Sequence, residues 1–258
     1  MRLVSLNTWK AEGDYVRRID AMAAGLSALS PDVIALQEDL RTADGLTHTA
    51  LALARALGLQ LSWVPARSKL RKVGLRRTLT TSGLAVLSRQ PVLEQRLLAL
   101  PEDPRDGERV AQCVRLPGPA GDWWLANLHL THLGDRADLR RQQLEAVLRM
   151  MGETAPTCSV VLCGDLNAST EDAEIAGFLR QGMLRDAFAG RPKVTHVDAA
   201  GAVRNLDHIL FRPGDEQTVA AGFVGVVLDR PEAHGVWPSD HRGVCAELLF
   251  SGARAPTP

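Results

Sequence analysis

The stretch Ser159-Val160-Val161-Leu162-Cys163-Gly164-Asp165-Leu166-Asn167 carries the pattern on which the fold turns. Five small or apolar residues in a row leave no polar face, so the strand they form is buried on both sides. Gly164 then permits a sharp exit, and Asp165 and Asn167 emerge at the strand's edge. Upstream, residues 136–151 place apolar side chains at helical spacing and residues 123–130 read as a strand. The chain opens in the same order, with a strand at 2–6, a helix at 15–29 and a strand at 33–37. Other strand-like runs fall at 61–64, 83–88, 110–116, 206–211, 219–228 and 244–250, and helical spacing recurs at 45–57 and 171–180. This alternation predicts an α+β sandwich built as one unit, two β-sheets packed face to face with helices outside. Ser30-Pro31 ends the first helix, because proline disfavours helical geometry in the residue before it. Ser169-Thr170-Glu171-Asp172 offers caps and early carboxylates for the last helix, so Asp165 and Asn167 lie on a strand-to-helix loop. No linker and no internal repeat divides the chain. A single domain is expected over 1–250, with 251–258 as a frayed tail.

A chain of 258 residues can bury a sizeable core. Its 30 basic and 30 acidic residues cancel, but their distribution is uneven. Residues 45–93 contain no acid, yet hold Arg55, Arg67, Lys69, Arg71, Lys72, Arg76, Arg77 and Arg89. Such a local excess attracts polyanions even when the whole molecule is neutral. Cys113, Cys158, Cys163 and Cys245 form no CxxC pair and no zinc-ligand spacing, and read as small reduced core residues. The N-terminal apolar run is too short for a signal segment, and no run is long enough to cross a bilayer. A soluble, cytoplasmic protein is expected.

Polar residues recur where apolar runs end. Asn7 closes Leu3-Val4-Ser5-Leu6, and its amide oxygen suits a metal or a metal-bound water. Glu38 follows Val33-Ile34-Ala35-Leu36-Gln37, where a carboxylate held at a buried strand's end suits a hard cation and equally a solvated strand end. His129 shares its strand face with Asn127, and His132, three residues on, competes for any role given to it. Asp207, inside Leu206-Asp207-His208-Ile209, is costly unless paired, and orienting an imidazole would satisfy it. Asp240-His241 heads a final strand, an acid for a metal beside an imidazole for proton transfer or phosphate. There is no GxxxxGK[ST], HExxH or GxSxG, and no GxGxxG follows the first strand.

In this order, Asn7, Glu38, His129, Asp165-Leu166-Asn167, Asp207 and Ser239-Asp240-His241 resemble the endonuclease/exonuclease/phosphatase superfamily, which includes pancreatic-type deoxyribonuclease, apurinic endonucleases, deadenylases, bacterial sphingomyelinases and inositol polyphosphate 5-phosphatases. Leu87-Ser88-Arg89-Gln90-Pro91 and the acid–arginine pair Glu108-Arg109 resemble further features of that family. The resemblance implies a DNase-like, four-layered α/β sandwich of two mixed β-sheets with its site at one end. It implies that Glu38 binds Mg²⁺ helped by Asn7 and Asp240, with Mn²⁺ able to substitute. Asp165 would orient or activate water, Asn167 place the phosphate, and His129 and the Asp207-steered His241 stabilise phosphoryl charge or move a proton. Where the family often has Arg-Ile-Asp this chain has Asn205-Leu206-Asp207, one cation fewer.

The substrate is not set by such a resemblance. Residues 67–77 read as a basic loop able to follow a nucleic-acid backbone, with Arg71, Lys72, Arg76 and Arg77 as contacts. Arg109 and Trp237 are further substrate candidates, and Trp63 and Trp237 are expected near the mouth. A nucleic-acid phosphodiester is therefore the expected substrate. The alternatives are a lipid or small phosphorylated molecule and, more remotely, a non-catalytic protein that holds a phosphate-bearing partner. No segment reads as an exposed apolar hairpin, so no stable membrane association is expected, and the oligomeric state stays open.

Overall fold

The computed structural model describes residues 1–198, 200–212, 214–215 and 217–252. Strand β1 (Arg2–Asn7) runs parallel to β2 (Val33–Thr42), and α1 (Tyr15–Leu29) makes the crossover that parallel strands require. With β3 (Gln60–Val73), β4 (Arg76–Ser88), β13 (Gln217–Val227) and β14 (Gly243–Gly252) they form a mixed sheet in the order β13-β14-β1-β2-β4-β3. The second sheet repeats the plan. Its parallel pair, β7 (Trp123–His129) and β8 (Val160–Asp165), is joined through α3 (Ala137–Thr154). Strands β5 (Glu94–Ala99), β6 (Val110–Leu116), β9 (Arg185–Asp186) and β12 (Asp207–Arg212) complete the order β5-β6-β7-β8-β12-β9. A short ribbon, β10 (His196–Val197) with β11 (Val203–Arg204), belongs to neither sheet.

Strand alternation assigns each apolar side chain to a layer. Val161 and Cys163 of β8 enter a core shared with Leu3, Val33, Leu125 and Val244, between the sheets. Val160 and Leu162 enter a second core with Leu144, Val147, Met151 and Phe178, beneath α3 and α4 (Ala173–Arg180). Val4, Leu6, Ile34 and Leu36 meet Met22 and Leu26 of α1 and Leu53 of α2 (Thr49–Leu57) in a third. Four layers result. Between the sheets Asn127 is paired at both ends of its amide: Nδ2 donates to the carbonyls of Leu36 and Ala85, and its oxygen accepts from Gln37 Nε2 at 2.8 Å.

Four expectations change. The basic segment 67–77 is not a loop but the far half of a hairpin, paired without interruption from Arg67↔Ser82 to Val73↔Arg76 about a turn at Gly74-Leu75. Its charges mark an edge strand, since β3 ends its sheet and lysine or arginine there discourages edge-to-edge pairing. That hairpin exposes Leu70, Leu75 and Leu79, so an exposed apolar hairpin does exist. The α2 helix begins at Thr49 rather than Gly45, because Thr42 closes residues 42–47 as a turn through its hydroxyl. Strand β14 continues to Gly252, and the rest of the expected tail lies outside the described residues.

Candidate active site

The parallel pairs of both sheets end at the same edge of the sandwich. Asn7 ends β1, Glu38 lies within a bulge of β2, and His129 and Asp165 end β7 and β8 in register. Asp207 opens β12 directly opposite Asp165, and Asp240 and His241 precede β14. Gly164 is needed for a closer reason than turning: its φ is 139°, and a Cβ there would lie 1.9 Å from the carbonyl oxygen of Leu128. Glu38 (φ 56°) and Asn167 (φ 51°) also hold left-handed backbone, sparsely populated for such residues.

Asp165 is the hub. It is 2% exposed, its Oδ2 accepts from Asn7 Nδ2 at 3.0 Å and its Oδ1 from the Asn167 backbone N–H at 2.9 Å. The Nε2 atoms of His129 and His241 stand 3.5 Å and 3.7 Å from Oδ2. Burial raises the Asp165 carboxyl to about 6, against the pull of His241, and the nearby Asp207 charge adds to the rise. His241 Nδ1 donates to Asp207 Oδ2 at 2.8 Å, fixing the ring with Nε2 toward Asp165. Burial opposes the imidazolium, but Asp207, Asp165 and Asp240 outweigh it and carry His241 to about 10. His129 has no such support; burial first, then Arg109 and Lys10, depress it well below the usual range. The site thus holds one charged and one neutral imidazole on a buried acid. His132, the competing histidine, lies instead on the exposed side with Asp106 and Arg109.

The oxygen donors sit beside this hub. Glu38 is paired with Lys10, whose φ of 45° follows another left-handed residue, Trp9. Asp240 is raised by burial, opposed by His241, and raised further by Glu38. Asn7 Oδ1 accepts from the Trp9 N–H at 3.0 Å, and Ser239 Oγ ties the Asp240 loop to the Asn7 carbonyl at 2.7 Å.

A cavity of about 290 Å³ leads from Glu38 and His129 along the hairpin. Arg67, Lys69 and Arg71 line it from one face of β3, and Arg109 from the opposite wall. Strand alternation sends Lys72 and Arg77 to the other face, together with Leu70 and Leu79. Arg76 keeps the inner face but pairs with Asp44 at 2.7 Å, beyond the cavity. Of the four hairpin cations expected at the substrate, only Arg71 therefore reaches the cavity. Trp63 is not at the mouth either; it packs edge-on against His48 at the start of α2. Trp237 is 38% exposed near Asp240, with the Arg242 guanidinium 3.6 Å above its ring.

Two residues escaped the sequence reading. Lys10 gave only the signal of a cation following Asn7-Thr8-Trp9. Arg18, buried on α1, donates to the carbonyls of Thr8, Glu12 and Pro238 and so pins the Lys10 loop to the Asp240 loop. Helical periodicity places Arg18 on a face but cannot reveal a carbonyl partner 220 residues away, that of Pro238.

Residues 4–241 match the family described as the Endonuclease/Exonuclease/phosphatase family. Human tyrosyl-DNA phosphodiesterase 2 is 24% identical over 95% of this chain and 68% of its own length. An endonuclease/exonuclease/phosphatase family protein from Leptotrichia buccalis superposes with a TM-score of 0.77 at 18% identity, over 96% of this chain and 99% of the other. The mannosyl-6-phosphatase Bt3783 of Bacteroides thetaiotaomicron does so with a TM-score of 0.73 at 18% identity, over 96% and 99%. The chain belongs to the endonuclease/exonuclease/phosphatase family, whose members are phosphoesterase hydrolases.

Proposed function

We propose that this phosphoesterase hydrolyses a phosphodiester of a nucleic acid, with Asp165 orienting and deprotonating the attacking water. The observation that carries this reading is a buried acid between two imidazoles, one of which, His129, lines a cavity together with Arg67, Lys69 and Arg71. A carboxylate raised to about 6 is a better base near neutral pH than a solvated one. Asn7 and Asn167 fix its two oxygens. The His241 imidazolium and the His129 N–H place donors where charge gathers on the phosphoryl oxygens. Water oxygen bonds to phosphorus as Asp165 takes its proton, the bond to the leaving oxygen breaks, and a proton from this network, replaced by the one on Asp165, goes to that leaving oxygen. Alternate residues of β3 stand about 6.6 Å apart, so its three cations face an extended chain of phosphates in succession. The kinship with a DNA phosphodiesterase supports the same choice.

Glu38, Asp240 and the Asn7 amide oxygen would hold Mg²⁺, or Mn²⁺ in its place. All three offer oxygen, the donor hard cations select, and Glu38 and Asp240 lie near enough for one charge to raise the other's carboxyl. Bound there, the cation would offset negative charge on the phosphoryl group.

A second reading rests on the hairpin's outer face, where exposed Leu70, Leu75 and Leu79 beside Lys72 and Arg77 suit an anionic lipid interface. One panel separates the two: Mg²⁺-dependent hydrolysis of single- and double-stranded DNA, tyrosine-linked DNA, RNA, mannose 6-phosphate and phospholipid vesicles, with Asp165→Asn as control. Nucleic-acid cleavage that the variant loses is the expected result. Turnover confined to the sugar phosphate or the vesicles would overturn the choice of substrate.

A further inference from the structure

We propose that His196, Asp240 and His241 form a binding site for one borderline transition cation of the Zn²⁺ class, and that its occupation halts hydrolysis. The ribbon strand β10 makes an isolated antiparallel bridge between His196 and His241, and the two rings lie 4.6 Å apart. One donor atom from each of His196, Asp240 and His241 lies within 4.8 Å of the other two. A cation of this class takes such donors at about 2.0–2.2 Å. Two imidazoles and a carboxylate are a zinc-type donor set, unlike the all-oxygen group of Glu38, Asp240 and Asn7.

The surroundings favour occupation. Asp207 takes the Nδ1–H of His241 at 2.8 Å, which leaves Nε2, 3.7 Å from Asp165 Oδ2, as the donor atom in the carboxylate–histidine arrangement common behind metal ligands. Three carboxylates, Asp165, Asp207 and Asp240, converge on the one His241 ring. Among the described residues, His196 Nδ1 is buried without a hydrogen-bond partner. A cation on His241 Nε2 removes the donor that faces Asp165 and the phosphate, and it also takes Asp240 from the oxygen-donor group. The inhibitory half of this proposal rests on the hydrolytic reading above; the binding half does not.

The test titrates the chelator-treated protein, in excess Mg²⁺, with Zn²⁺ by calorimetry and with Co²⁺ by visible absorption. One tight equivalent and four- or five-coordinate Co²⁺ bands are expected. His196→Ala and the closer-shaped His196→Asn should weaken binding by at least about tenfold, with melting curves confirming that both fold. Their Mg²⁺-supported turnover should stay close to that of the unaltered enzyme, while the Zn²⁺ concentration for half-inhibition rises by the same factor as the dissociation constant. Absence of a tight equivalent overturns the proposal. So does unchanged binding in both variants, which would move the cation to Asp165, Asp207 and His241. If no substrate in the panel is hydrolysed, the hydrolytic reading fails, and the Zn²⁺ and Co²⁺ titrations still decide the site.

Discussion

At Asp165 burial and hydrogen bonding pull in opposite directions, and the balance sets the pH range of the reaction. The carboxyl rises to about 6 because desolvation exceeds the help from His241, Asn167 and Asn7. Asp165→Asn keeps the volume and removes the base, so kcat should fall by about 10²–10⁴ with KM little changed. Near-normal kcat in a stopped assay would remove Asp165 from the chemistry. His241 is protonated below about 10, so activity that needs its charge is present below that pH and lost above it. Asp207→Asn withdraws the closest carboxylate, and the alkaline limb of kcat should move down by about 1–3 units. An unmoved limb in the pH–rate profile would show that another group sets it. These residues were legible in the sequence because each lies at one end of an apolar run whose neighbours are fixed by strand alternation. Lys10 was not, since its pairing with Glu38 depends on two consecutive left-handed residues that no local pattern announces.

At the scale of elements, the end of β8 and the hairpin make opposite points. Gly164 was legible as a turning residue, but the constraint is the Leu128 carbonyl of the neighbouring strand. Gly164→Ala should therefore cost upward of about 2 kcal/mol and lower the melting temperature by about 5 °C or more. Melting within a degree of the parent would show that β7 and β8 can separate locally without cost. The hairpin misled because its charge density resembles a loop, whereas Thr78, Thr80 and Thr81 favour strand and pair it throughout. Pairing divides its cations by parity, which a loop would not do. Replacing Lys69 and Arg71 by alanine should raise KM for a nucleic acid and flatten its salt dependence by about two phosphates' worth of slope. Replacing Lys72 and Arg77 should change neither, and equal effects from the two pairs in binding measured across salt concentrations would abolish the distinction between faces.

For the whole molecule, the layered plan was legible from the repeated strand–helix–strand order, because strands apolar on both sides need a cover on each face, here the second sheet on one and helices on the other. The electrostatic cost of the site was not, since it arises where the two sheets bring distant acids together. Asp165 is raised from the ordinary range near 4 to about 6, and His241 from about 6.5 to about 10. For both groups the native state binds the proton more tightly than the unfolded chain does. The stabilisation is therefore full below the unfolded values and lost as pH rises, for Asp165 through about 6 and for His241 through about 10. A divalent cation bound only by the native state acts the other way, because it adds stability once Asp240, whose carboxyl burial raises, has given up its proton. Mg²⁺ or Mn²⁺ should thus raise the melting temperature more at pH 8 than at pH 5, and Glu38→Gln should suppress the increment at pH 8 while leaving the melt without added cation nearly unchanged. An increment equal at both pH values, or one that survives in Glu38→Gln, would mean that the stabilising cation binds away from the converging strand ends. The proposed oxygen-donor group would then lose its place in the chemistry.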